Sequence, residues 1–298
     1  MKNNSVNASS NPKKIANMSE AAQATQKYEI RPTQSIELLK QLHILTRDGK
    51  MNQDSRRKLK QVYHLTQFIE PLLKDVLASK NQLTLVDHGA GKSYLGFILN
   101  DLFCKLQDLP CEIIGIEVRE ELVKHSQELA KNLGFSNMRF LHLTVEESLT
   151  SKLVPDQVDV VTALHACNTA TDDAIRFALS KQTKHIVLVP CCQAEVAHTL
   201  RQSKALNLKR NDLTEIWRHP LHTREFGSHI TNVLRCLQLE AHGYNVTVTE
   251  LVGWEHSMKN ELIIASLGKD PKQSLRAKEK LENLLKELGL ETLNERFA

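Results

Sequence analysis

Residues 85–96 read LVDHGAGKSYLG, and the fold turns on what this loop is built to hold. Gly91-Lys92-Ser93 is the second half of a Walker A pattern, G-x-x-x-x-G-K-[ST], in which backbone amides cradle phosphates. That pattern needs a glycine five positions ahead of Gly91, where Val86 stands. Without it the loop cannot wrap a β-phosphate, so the match is partial. The apolar run QLTLVDHG leads in and the helical pattern SYLGFILNDLFCKL leads out. A loop that follows a strand and opens a helix is the setting of a nucleotide-type site on an open α/β sheet.

The rhythm on the C-terminal side supports that setting. After CEIIGIEV come REELVKHSQELAKNLG, MRFLHLTV, VDVVTALHA, TDDAIRFALSK and HIVLVPCC, and the series closes with NVTVTELVGW and NELIIASL. Strand-like runs alternating with helical ones predict an α/β fold, a mostly parallel sheet covered by helices. VDVVTAL and HIVLVP are apolar without alternation, as strands buried on both faces are. Only EHSMKN separates the last two strands, too short for a parallel crossover, so they are expected to form an antiparallel hairpin. The tail SLRAKEKLENLLKELGL predicts an amphipathic helix.

Ahead of the loop the chain differs. Residues 1–26 are polar, Asn/Ser-rich and poor in aromatics, the composition of a disordered tail. Helical patterning begins near Pro32 with IELLKQLHIL and breaks at a turn around Gly49. A long helix follows, with Asp54 as its expected N-cap and a buried stripe at Leu59, Val62, Thr66, Ile69, Leu73 and Val76. Pro71 is expected to kink or divide it. The boundaries read as tail 1–26, basic helical cap 27–80, α/β domain 81–268 and C-terminal helix 269–298.

The net charge of +4 is unevenly spread. Residues 1–80 carry fourteen Lys/Arg against seven Asp/Glu, and the rest carries twenty-five against twenty-eight. Arg56, Arg57, Lys58 and Lys60 crowd the first turns of the long helix, where its dipole disfavours cations. A basic front on a near-neutral body points to a polyanion such as RNA, with a solvated helix surface as the plain alternative. No apolar run approaches the roughly eighteen residues that span a bilayer, and the N-terminus has no signal-peptide core, so no membrane role is expected. Six cysteines without framework spacing suit a reducing cytoplasm. Oligomeric state is not legible.

Asp87 closes the strand before the glycines, and Glu117 closes the next strand, where ribose hydroxyls of a bound nucleoside find an acceptor. A dinucleotide fingerprint would place glycine at position 94, which is Tyr94. Two glycines between these acids resemble the S-adenosylmethionine (SAM) site of a class I methyltransferase, and the resemblance covers Leu83 to Leu267, closing hairpin included. It implies a Rossmann-like sheet and SAM as cofactor. It further implies Asp87, Gly89 and Gly91 as the methionine-side loop, Glu117 as the ribose acid, and Thr144 and Val145 beside the adenine, although Thr144 stands where many members have Asp.

LHACNTATDDAI (164–175) and VPCCQAE (189–195) are similar to a narrower methyltransferase subgroup that includes a eukaryotic tRNA 2′-O-methyltransferase. That similarity implies RNA, tRNA or rRNA, as acceptor. In the class I strand order His165 and Cys167 would share a crevice with Cys191 and Cys192. Three readings of that crevice stand. It is an acceptor pocket with His165 as proton acceptor and Asp172 orienting it or capping a helix. Or it is a zinc site, against which count the adjacent cysteines and the lack of a C-x-x-C pair. Or it is apolar packing. After the fifth strand, WRHPLHTREFGSHITNVLR offers Arg224 and Arg235 for phosphates and His219 and His222 for bases, the alternative being a loop followed by a helix. Lys259 and Asn260, at the hairpin turn, either face substrate or form an ordinary polar turn. An acceptor of protein or small-molecule type, or a non-catalytic RNA-binding role, remains open at this point.

Overall fold

The computed structural model describes residues 30–164, 169–190, 193–205, 215–216, 218–251, 261–268 and 270–298. The tail at 1–26 and His165, Cys167, Cys191, Cys192, Lys259 and Asn260 lie outside the described residues. The described residues fall into two compact units, which divide between Lys60 and Gln61.

In the first unit, helix α1 (Ile36–Gln41) is capped by Ser35, whose hydroxyl accepts from Leu38 N–H at 3.1 Å. A turn at Thr46–Lys50 places Gly49 at φ 75°, and helix α2 (Gln53–Leu77) then begins. Its cap is Asn52 rather than Asp54: Asn52 Oδ1 accepts from Ser55 N–H at 2.8 Å and from Ser55 Oγ at 2.9 Å. Asp54 falls inside the first turn and pairs with Lys58 one turn on, at 2.8 Å. That pairing offsets the cost of a cation near the helix N-terminus. Arg56, Arg57 and Lys60 are exposed, while Lys58 also donates to His43 C=O at 3.0 Å. The stripe from Leu59 through Val62, Thr66, Ile69 and Leu73 to Val76 is buried as its periodicity requires. Pro71 sits inside α2 without dividing it.

The second unit is built on β1 (Leu83–His88), β2 (Cys111–Glu117), β3 (Met138–His142), β4 (Val160–Leu164), β5 (His185–Val189), β6 (Tyr244–Glu250) and β7 (Glu261–Leu267). The order is β3-β2-β1-β4-β5-β7-β6, with β1 to β5 parallel and β7 antiparallel to both β5 and β6. This is the expected Rossmann-like sheet with its closing hairpin. Between the strands run α3 (Tyr94–Leu102), α4 (Glu120–Leu133), α5 (Val145–Thr150), α6 (Ala170–Ser180), α7 (Glu195–Ala205) and α8 (Pro220–Ala241). Val86, Ile114, Val161, Ile186 and Ile263 from five strands meet Ile175 and Phe177 of α6 in one apolar core. Cys104 and Cys111 are bonded to each other, where the sequence shows no disulfide framework.

The sequence leaves the stretch after β5 as either an insertion over the substrate side or a loop and a shorter helix. The structure instead forms α8, twenty-two residues opened by Pro220 at its first position, where a missing N–H costs nothing. Helix α9 (Pro271–Leu288) sets Leu281 and Leu285 with Leu234 of α8 and Val196 and Leu200 of α7 in a second apolar cluster. At the strands' N-terminal ends Asp75 bonds Lys184 and His185 at 2.7 and 2.9 Å, and Asp159 accepts from Thr84 N–H and pairs with Lys80. Those ties leave the C-terminal ends of the strands for the site. Among the described residues no helix is long and apolar enough to cross a membrane.

Candidate active site

The glycine loop leaves β1 at His88 and takes three left-handed residues in five: Gly89 (φ 67°), Gly91 (φ 58°) and Ser93 (φ 51°). Glycine adopts that conformation without penalty, and serine does so only under constraint. The constraint is visible. Ser93 N–H donates to Ala90 C=O at 2.7 Å, and its side chain is fully buried with no hydrogen-bond partner among the described residues. A Cβ on Gly96 would stand 2.8 Å from Ser93 Oγ, and one on Gly115 would stand 3.3 Å from it and 2.7 Å from the Phe140 ring. The hydroxyl that a Walker loop presents to a metal and phosphate is turned into the core here, under Gly96 and Gly115. The loop does not fit a nucleoside triphosphate.

What the loop has beside it are two acids, Asp87 and Glu117. Ala90 N–H donates to Ile116 C=O at 2.9 Å, and Gly91 N–H donates to Glu117 Oε2 at 2.7 Å, which ties the loop to the end of β2. Asp87 pairs in register with Gly115 of β2 and Thr162 of β4, so it stands at the centre of the sheet. Its carboxyl is buried and accepts from Thr162 Oγ1 at 2.7 Å. Burial drives its pKa up to about 7, the Thr162 bond opposes, and the nearby Glu117 charge adds to the rise. A carboxyl poised there gains most from a cationic partner. For Glu117, burial pushes upward but is outweighed by donors from the Arg119 side chain and the Gly91 and Arg119 amides, so its carboxyl sits below its ordinary value.

Thr144 follows β3 as the cap of α5. Its hydroxyl accepts from Glu147 N–H at 3.2 Å, and Glu147 Oε2 accepts from Thr144 N–H at 2.8 Å. Val145 is the first residue of that helix.

On the acceptor side, Leu164 of β4 pairs with Val189 of β5, so the segments that follow both strands leave from neighbouring ends. Asp172 neither caps a helix nor stands open beside that crevice. It lies on the buried face of α6 and receives a two-pronged ion pair from Arg235 of α8, Nε–Oδ1 2.6 Å and Nη2–Oδ2 2.9 Å. Arg235, expected to grip phosphate, is 1% exposed, and its fork is committed to Asp172. The pair continues into a polar network. Asn232 Oδ1 accepts from Arg235 Nη1 at 3.2 Å and from Gln193 Nε2 at 2.8 Å, Gln193 Oε1 accepts from Ser228 Oγ, and Asn232 Nδ2 donates to Glu261. Arg224 is exposed and bonds Glu225, and His219 and His222 face each other edge-on at 5.4 Å.

Two residues escaped the sequence reading. His88 is buried beside Phe177 at 5.3 Å, both ring nitrogens without a partner among the described residues, and burial holds its pKa down to about 4. Arg119 is the clamp on Glu117. The available signal was a lone Arg between Glu117 and Glu120-Glu121.

Residues 57–199 match the family model described as "Methyltransferase domain". This stretch of the chain is a methyltransferase domain. Such a domain on this sheet takes its methyl group from SAM. Similar proteins include the "Glutathione S-transferase C-terminal domain-containing protein" of Xenopus laevis, 26% identical over 74% of this chain and 36% of that one. The protein of the same name from Bos taurus is 26% identical over 73% and 34%. The chain therefore spans about a third of the length of the curated relatives it matches. A looser likeness, at TM-score 0.44 and 11% identity, links 85% of the chain to all of a putative caffeoyl-CoA O-methyltransferase from Staphylococcus aureus.

Proposed function

We propose that the chain transfers a methyl group from SAM to RNA, tRNA or rRNA, and releases S-adenosylhomocysteine (SAH). The observation that carries the cofactor half is the loop itself: Gly89 and Gly91 left-handed between two acids, with Ser93 turned away. SAM supplies a sulfonium methyl open to in-line attack. Asp87 would hold the cofactor's ammonium, and Glu117 would accept from the ribose hydroxyls. Gly91 leaves its surface clear for close approach, because a Cβ there would meet nothing nearer than Arg119 at 3.8 Å. From the sequence motifs we assign His165 as proton acceptor, with Cys167, Cys191 and Cys192 as its companions on the acceptor side; all four lie outside the described residues. The Asp172–Arg235 network reaches through Asn232 to Gln193, the residue next after the cysteine pair.

Support for RNA comes from the basic balance of residues 1–80, with Arg56, Arg57 and Lys60 exposed in the first turns of α2, and from the subgroup motifs around 164–175 and 189–195. Phosphate contacts of that kind orient an RNA without reading its sequence. The test is transfer of a labelled methyl group from SAM, with total RNA from cells lacking this gene as acceptor. Label that becomes soluble on nuclease treatment is the expected outcome. Label confined to protein, or absent while SAM binding is intact, would refute the RNA assignment.

A further inference from the structure

A carboxylate offers about four acceptor positions, and the chain's own donors fill those of Glu117. Oε2 accepts from Gly91 N–H at 2.7 Å and from Arg119 Nη2 at 3.3 Å. Oε1 accepts from Arg119 N–H at 3.1 Å and from Arg119 Nε at 2.9 Å. Two of the four donors thus belong to one guanidinium. That guanidinium also lies against the glycine loop, its Nη2 being the atom nearest to a Cβ built on Gly91. The clamp is anchored at one end only, for the side chain of Glu117 is 7% exposed and that of Arg119 57%.

We propose that Arg119 fills the positions on Glu117 that the ribose hydroxyls of SAM would take and competes with them, which makes it the residue that sets the affinity for adenosyl ligands with a ribose diol. The inference rests on the SAM reading of the loop. A buried carboxylate needs donors whether or not a ligand is bound, and Arg119 supplies them. A ribose diol brings two O–H donors to the same two positions, and the guanidinium then swings into solvent on its flexible stem. Part of the ligand's binding free energy goes into displacing it. Because SAM and SAH share the ribose, the handicap is the same for both and leaves their ratio unchanged.

The experiment is calorimetric titration of the wild-type chain, Arg119→Met and Arg119→Lys with SAH and with an SAH analogue lacking both ribose hydroxyls. Removing an exposed ion pair of this kind is expected to tighten SAH binding about fivefold in Arg119→Met, with Arg119→Lys in between. The analogue cannot displace the guanidinium, so its affinity is expected to be the same in all three proteins. Equal or weaker SAH binding by Arg119→Met, with the wild type binding normally, overturns the inference and leaves the SAM reading standing. A folded wild-type chain that does not bind SAH overturns both.

Discussion

Asp87 concentrates the chemistry of the loop in one side chain. Its folded pKa of about 7 lies above the ordinary value of 3.8, so the fold favours the protonated form. Between those values the native state keeps a proton that the unfolded chain has lost. Stability therefore falls as pH rises through that window and stays lower above it. Asp87→Asn keeps a partner for Thr162 and cannot ionise, so it is expected to melt at a higher temperature than wild type at pH 8 and at a similar one at pH 4. Thermal unfolding across that range checks this, and a wild-type chain that gains stability from pH 4 to 7 relative to the variant would contradict it. A cofactor ammonium selects the ionised carboxyl, so SAH affinity is expected to rise by up to about tenfold per pH unit below pH 7 and then level off. The loop's acids and glycines were legible because strand ends and left-handed turns leave local marks in sequence. The inward turn of Ser93 was not, since it depends on Gly115 and Phe140 from neighbouring strands.

At the scale of elements, α6 and α8 are joined through Asp172 and Arg235, two charges removed from water together. Breaking such a pair leaves one charge buried alone, at a cost of about 3–5 kcal/mol, whereas replacing both partners costs far less. Asp172→Asn and Arg235→Met are each expected to lower unfolding free energy by that order, and the double variant to recover much of the loss. A denaturant-based double-mutant cycle measures this, and additive single effects would show that the two side chains act independently. Neither residue announced the pairing. Asp172 reads as a helix-start residue and Arg235 as one more cation in a basic stretch, and their meeting requires α8 to run unbroken from Pro220. The same kind of near miss set the start of α2, where Asn52 and Asp54 are both plausible caps and the Ser55 hydroxyl favours the first. Strands and their pairing were easier to read, because unalternating apolar runs have few other places to go in an α/β chain.

For the whole molecule, alternation of strand and helix fixed the sheet, and a short final linker fixed its antiparallel edge. The two-unit division at Lys60 and Gln61 left no mark in composition, since α2 carries one apolar stripe straight through it. The claim on which the rest depends is that the loop at 87–93 holds SAM and not a nucleoside triphosphate. Titration of the purified chain with SAH, and separately with ATP–Mg2+, tests it most directly, with Gly91→Asp as the control. The left-handed backbone of Gly91 is strained for any side chain, and a carboxylate there would stand in the open space that the ligand is to approach. Saturable SAH binding that disappears in a folded Gly91→Asp variant, with no heat from ATP–Mg2+, is the predicted result. ATP–Mg2+ binding that the same substitution abolishes, or a folded wild-type chain indifferent to SAH, would contradict it.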